Sequence, residues 1–352
     1  MYRQTYAKIN MNALYNNIIK IKEQYKYDYY IAVIKSNCYG HGIGALQAIL
    51  DAGCNYLAVA TLEEAVQTRL YTDTPILCLG TVNIQDLPIC VNNNITISIN
   101  TYDYYKAIKD LSYPLTVHIK LNTGMNRLGI KHKHELDEIY NSISETSYKL
   151  EGIFSHIYDP GNKEDTNAQF DTFAYLCSDI DLTKIKMVHI AASDTITRYP
   201  RLDYINTARL GIIMFGFCQL LELESTFSLH SQVIQINELE AGEKLGYKGA
   251  YVASQKEKIA VVPIGYGDGL LRAYTNNNVY INNRSYKIIG NVCMDMLFTQ
   301  ADNSIKLHDT VTLLKDNAHI NEIAKNLNTI NYEILCTVGS RVPRIYEYDS
   351  KS

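Results

Sequence analysis

From residue 29 to about residue 209, short apolar runs alternate with segments of helical period. The runs cover 31–34, 56–60, 76–79, 95–99, 115–121, 152–157, 187–191 and roughly 204–209. Between them lie amphipathic segments such as 45–52, 62–70, 102–109, 133–142 and 167–178. Near-continuous apolar strands separated by helices are what a parallel sheet covered on both faces requires. Eight such strands predict an α/β fold, a (β/α)8 TIM barrel, with a doubly wound open sheet as the competing architecture.

After about residue 227 the texture changes. S-L-H-S-Q-V-I-Q-I, K-I-A-V-V-P-I, V-Y-I-N-N-R-S-Y-K-I-I-G and D-T-V-T-L-L read as strands joined by turns, with one helix at 320–327. A chain of 352 residues has room for two domains. The expected division is a barrel over 1–228 and a C-terminal mainly-β domain over 229–352, with the first ten or so residues able to pair with the β domain.

Composition narrows the function classes. A net charge of -4 offers no basic field for nucleic acid or anionic lipid. No apolar run approaches the ~20 residues that span a bilayer, and the N-terminus M-Y-R-Q-T-Y-A-K-I-N lacks the apolar core of a signal peptide. A cytoplasmic protein is expected, although the detached domain of a membrane-anchored parent has the same composition. The 8 cysteines are scattered without a C-x-x-C pair, and no His/Cys cluster has zinc spacing, so no metal is expected. With 29 tyrosines and no tryptophan, a tyrosine is not special merely for being present.

Chemistry-bearing residues recur at one end of the barrel strands. I-A-V-I-K-S-N-C-Y-G-H-G brings Lys35 to the end of the first. A lysine there can condense with an aldehyde such as pyridoxal phosphate (PLP), or can simply snorkel into water. Lys120 lies in the fifth strand, which runs into N-T-G-M-N-R-L-G with Arg127; His156 ends the sixth. H-I-A-A-S, with His189 and Ser193, ends the seventh, and A-R-L-G-I, with Arg209, Gly211 and Ile212, ends the eighth. Singly these read as a core histidine, a solvated arginine or a loop glycine. Together they occupy the face where barrel enzymes place their chemistry, and the loops after the last two strands suit a phosphate.

The order of motifs resembles the alanine racemase family. A-V-I-K-S-N-C-Y-G-H-G is similar to its PLP-lysine motif, and K-L-N-T-G-M-N-R-L-G, A-R-L-G-I-I-M-F-G, V-P-I-G-Y-G-D-G, V-C-M-D-M and C-T-V-G-S-R-V-P-R to its later ones, over nearly the whole chain. The resemblance implies a homodimeric, PLP-dependent racemase of L- and D-alanine that supplies D-amino acid for peptidoglycan precursors. It implies that Lys35 holds PLP and serves as one base. Tyr247, in L-G-Y-K-G-A-Y, is the opposite base and reaches the site from the partner subunit. His156 and Arg209 link that tyrosine to the pyridine nitrogen. An arginine there keeps the nitrogen unprotonated, because it does not release its own proton. By the same resemblance Arg127 contacts cofactor and substrate carboxylate, and Lys120 beside it is open to carbamylation. Tyr39 and Ser193 match phosphate contacts and Met294 a substrate-site residue from the partner; Gly211 and Ile212 fit a phosphate role by their own position, with backbone N–H groups in the loop after the eighth strand.

Three positions depart from the family pattern. Ala192 stands where an asparagine is usual, Asn122 where an aspartate is usual, and Ser340 where a tyrosine narrows the pocket. Ser340 opens the alternative of a serine or serine/alanine racemase of the vancomycin-resistance type, whose usual residue there is asparagine. A PLP-carrying homeostasis protein without turnover, which has the barrel alone, and a Schiff-base aldolase without PLP are the readings from other classes.

Overall fold

The computed structural model describes residues 3–348, so the domain ends placed at residues 1 and 352 lie outside the described residues. The first strand, β1 (Tyr6–Asn10), leads directly into the helix Met11–Gln24. Asn10 caps that helix, its side chain accepting from the Ala13 amide at 2.9 Å. Leu14, Ile18 and Ile21 form its buried face, each stabilising the fold by about 1.5–3 kcal/mol.

Eight parallel strands follow: β2 (Tyr29–Val33), β3 (Tyr56–Val59), β4 (Ile76–Cys78), β5 (Ile95–Ile99), β6 (Thr116–Lys120), β7 (Lys149–Phe154), β8 (Met187–His189) and β9 (Thr207–Leu210). Their spatial order is β8-β7-β6-β5-β4-β3-β2-β9. The first and last in sequence, β2 and β9, are paired, as Ile31 opposite Arg209 shows. A single bridge between Ala192 and Arg209 joins the remaining edge. This cyclic order is a barrel and rules out the open doubly wound sheet. The strands are buried almost end to end: β3 and β5 expose no residue on either face.

Ten further strands build the β domain: β10 (Phe227–Gln232), β11 (Gln235–Leu239), β12 (Lys244–Leu245), β13 (Tyr251–Val252), β14 (Glu257–Val262), β15 (Asn278–Ile281), β16 (Arg284–Ile289), β17 (Leu297–Ala301), β18 (Thr310–Leu314) and β19 (Arg344–Glu347). β10 alternates buried and half-buried residues, the signature of a sheet with one wet face. β1 belongs to this sheet, antiparallel to β10 and parallel to β19. β1 therefore lies in the β domain although it precedes the barrel in the chain.

Several expected boundaries move. The eighth barrel strand begins at Thr207, because residues before it form a loop closed by Ile205 donating to the Leu202 carbonyl. The helix expected at 320–327 is Asn317–Asn326, started by the Asp316 side chain. A second helix, Asn331–Cys336, follows it. Among the described residues no helix is long and apolar enough to cross a membrane.

Candidate active site

Lys35 does not end its strand. β2 stops at Val33, and Lys35 opens a single helical turn, Lys35–Tyr39. Ser36, Asn37, Cys38 and Tyr39 all have φ of 51–54°, the left-handed region. Four consecutive residues with a Cβ in that region cost about 1–2 kcal/mol each. Surrounding bonds offset this. Glu64 accepts the Ser36 amide at 2.6 Å and the Ala60 amide at 2.8 Å. Arg344 Nε donates to the Gly40 carbonyl at 3.0 Å, and His41 Nε2 lies 2.8 Å from Thr226 Oγ1. Gly40 is obligatory here: a Cβ would stand 2.1 Å from the Leu335 carbonyl oxygen.

The turn presents Lys35 and Tyr39 to one cavity of about 520 Å³ at the carboxyl end of the barrel strands. Lys120, Arg127, His156, Ser193 and Arg209 line it too. Lys120 is the last residue of β6, while Arg127 and His156 stand on the loops after β6 and β7, His156 two residues past the strand rather than at its end. The lining thus has four cations, Lys35, Lys120, Arg127 and Arg209, against one carboxylate, Asp194.

The excess of positive charge shows in the titration of its members. Burial, and then Arg127, lower Lys35 from its ordinary value. Burial and the cations Arg127, Arg209 and Lys35 lower Lys120 to about 8. Burial and Arg209 lower His156 to about 3, so its imidazole is neutral. Arg209, buried and facing Arg127, falls to about 10 and stays charged at neutral pH.

Arg209 is held by five contacts. Nη1 donates to His189 Nδ1 at 2.8 Å and to the His189 carbonyl at 3.0 Å. Nη2 donates to the Ser155 carbonyl at 2.8 Å, to His156 Nδ1 at 3.1 Å and to the Ile190 carbonyl at 3.4 Å. Gly211, two residues past Arg209 and not itself in the lining, leaves a hollow beside Tyr39 and Ser193. A Cβ there would stand 3.0 Å from Tyr39 Oη and 3.4 Å from Ser193 Oγ, so both hydroxyls converge on it. Ile212 is buried one residue further on.

Tyr247, Met294 and Ser340 do not line this cavity. Tyr247 starts a short 3-10 turn in the β domain and is 70% exposed. It shares a second cavity of about 400 Å³ with Met294, itself 52% exposed. Ser340 is exposed near the end of the chain. Residues absent from the sequence-based list are Glu64, which clamps the lysine turn, and Tyr332, which lines the cavity edge-on to Tyr39 at 5.8 Å between ring centroids. Nothing in the periodicity marks either. His118 alone carried a signal, a histidine within the run 115–121; Glu151 precedes the run 152–157 and carried none.

A barrel with a lysine in a cationic cavity of about 520 Å³ at the carboxyl ends of its strands has the form of a barrel enzyme whose site suits an anionic ligand. Comparison with known sequences supplies the family. Residues 9–219 match the alanine racemase N-terminal domain and residues 226–346 the alanine racemase C-terminal domain. The chain belongs to the alanine racemase family, whose members are PLP-dependent. It is 36% identical to the alanine racemase of Anoxybacillus flavithermus, across 98% of this chain and 95% of that protein. It is 32% identical to alanine racemase 1 of Bacillus subtilis, across 98% and 93%. Among solved structures it resembles the Bacillus anthracis alanine racemase with bound L-Ala-P, at a TM-score of 0.93 and 31% identity over 100% of this chain and 97% of that one. A histidine racemase from Leuconostoc mesenteroides, at 23% identity and a TM-score of 0.90, shares the fold.

Proposed function

We propose that this protein interconverts L- and D-alanine with PLP as cofactor, in the cytoplasm and as a homodimer, and so supplies D-alanine to peptidoglycan precursors. The observation that carries the reading is the single cavity that gathers Lys35, Arg127, His156 and Arg209. Its residues fit the cofactor. Four cations suit a phosphate and a carboxylate together, and Tyr39 and Ser193 converge where a phosphate would seat. PLP, when bound, supplies the electron sink that makes the substrate Cα–H acidic.

The chain's own groups then divide the work. Lys35 would hold PLP and, as a free amine, would take or return the Cα proton on one face. Its lowered pKa moves the amine toward the working pH of a general base. Arg209, which stays charged, would hold the pyridine nitrogen of a bound PLP without a proton, a weaker electron sink suited to racemisation. Because Arg209 can only donate to His156 Nδ1, the His156 proton sits on Nε2. That N–H is free to stabilise a phenolate, the role expected toward Tyr247 of the partner subunit on the opposite face. The wide exposure of Tyr247 and Met294 in a single chain supports a head-to-tail dimer that covers them. Gly211 and Ile212 contribute backbone to the phosphate wall, and Arg127 orients the substrate carboxylate. Lys120, with a pKa of about 8, has the partly neutral amine that carbamylation needs.

The test is PLP loading of wild type and Lys35→Ala. Wild type gains a visible absorption band and racemises alanine; the variant loses both. Retention of both by the variant overturns the reading. The serine alternative rests on Ser340, which stands exposed outside the cavity lining; the ratio of kcat/KM for L-Ala and L-Ser on one sample decides between the substrates.

A further inference from the structure

A file of polar side chains runs through the barrel interior, where layers of branched apolar residues are the rule. Arg209 Nη1 donates to His189 Nδ1, and His189 Nε2 lies 2.9 Å from His118 Nδ1. His118 Nε2 faces Glu151 Oε2 at 3.6 Å, too long for a hydrogen bond but with no other partner. Glu151 accepts from Tyr56 Oη at 2.8 Å and from Lys186 Nζ at 2.9 Å, and the exposed Lys149 Nζ stands 3.8 Å from its Oε1.

The protons in this file are fixed by its charged end. Arginine only donates, so His189 Nδ1 accepts and the His189 proton is on Nε2. That proton points at His118 Nδ1, which leaves the His118 proton on Nε2, facing the carboxylate. Both histidines are fully buried, and burial above all lowers their pKa values, so both are neutral. Every N–H thus points from the cation toward the anion.

The carboxylate is placed there by a fault in the sheet. Val117 pairs with Leu150 and His118 with Gly152, so Glu151 has no opposite residue in β6. Such a bulge re-aims a side chain. Gly152 makes the room: a Cβ on it would stand 2.5 Å from His118 Nδ1. Burial would raise the Glu151 pKa, but bonds from its neighbours outweigh it and hold the group ionised.

We infer that Glu151 is a positioning residue for Arg209, its buried counter-charge, acting through His118 and His189 from the amino-terminal half of the barrel. The inference rests on the racemase reading, in which Arg209 faces the cofactor ring. Glu151 offsets the crowd of cations around the cavity and orients the guanidinium that sets the ring's protonation.

The experiment compares PLP-loaded wild type, Glu151→Gln, Glu151→Asp and Lys186→Met. Lys186 is half exposed and touches Glu151 from outside the file. The visible band of each protein is titrated with pH, and kcat and KM for alanine are measured. Removing the anion makes the cavity more positive, so Glu151→Gln titrates about half a pH unit lower. Its kcat falls several-fold with KM unchanged, and Glu151→Asp recovers part of both. Lys186→Met removes a cation, and the band moves in the opposite direction. A structural lesion would not reverse sign between the two variants. An active wild type whose band titration matches that of Glu151→Gln overturns this inference alone. So do shifts of the same sign in Glu151→Gln and Lys186→Met. A wild type that binds no PLP overturns the racemase reading instead.

Discussion

Arg209 Nη2 donates to His156 Nδ1 across 3.1 Å, and this one bond connects the two ends of the proposed proton machinery. A lysine at 209 keeps the charge but not the fork that serves His189, Ser155 and His156 together. Arg209→Lys is expected to lose about 2–4 kcal/mol of stability, because buried acceptors are left unpaired. Its kcat should fall about 100-fold. Urea midpoints and steady-state rates on the PLP-loaded protein check both.

The active site should be shared between subunits. Lys35→Ala and Tyr247→Phe are each expected to be inactive. Refolded together in equal amounts, they form mixed dimers in which one of the two sites has both native residues. Random assortment then restores about a quarter of wild-type activity. A mixture as dead as its parents would mean that Lys35 and Tyr247 act within one chain.

Gly152→Ala should disturb the barrel interior. The new methyl meets the His118 ring, which is packed and cannot retreat. Overpacking of this kind costs about 1–3 kcal/mol. The drop in thermal midpoint measures it. Gly161→Ala, whose added carbon meets only the Asp159 side chain at 3.1 Å, serves as the mild control.

Stability should fall in acid. His156 and His41 are held at about 3 and His230 at about 4, in each case first by burial. In the unfolded chain these groups titrate near ~6.5. Between those values the unfolded state binds more protons, so stability rises with pH and is lost as pH drops from about 6.5 toward 3. Lys120 acts in the same sense at higher pH. Its folded value of about 8 lies below the ordinary lysine value of about 10.5, so its desolvation penalty is full below pH 8 and fades as pH rises through that window. Urea unfolding of the PLP-free protein across pH checks both slopes, and Lys120→Met should flatten the upper one.

Much of the architecture was legible in the chain. Short apolar runs such as Y-L-A-V read as buried strands, and eight strand-like runs between helices close as a barrel. Family-like motifs picked out Lys35, Arg127, His156 and Arg209, which the fold gathers around one cavity. Local pattern did not reach contacts between residues far apart in sequence. No spacing rule gives a lysine on a left-handed turn, because that turn exists only where Glu64, Arg344 and Leu335 confine it.

The sequence by itself determined the eight barrel strands and the change in texture near residue 227, because these follow from periodicity. Tertiary structure alone decided which groups meet. It set Tyr247 apart from Lys35 within one chain, left Ser340 outside the cavity and lined Arg209, His189, His118 and Glu151 into one file. The physical reason is that burial turns proximity into energy. A carboxylate and a guanidinium far apart in sequence interact strongly only once the barrel has removed the water between them.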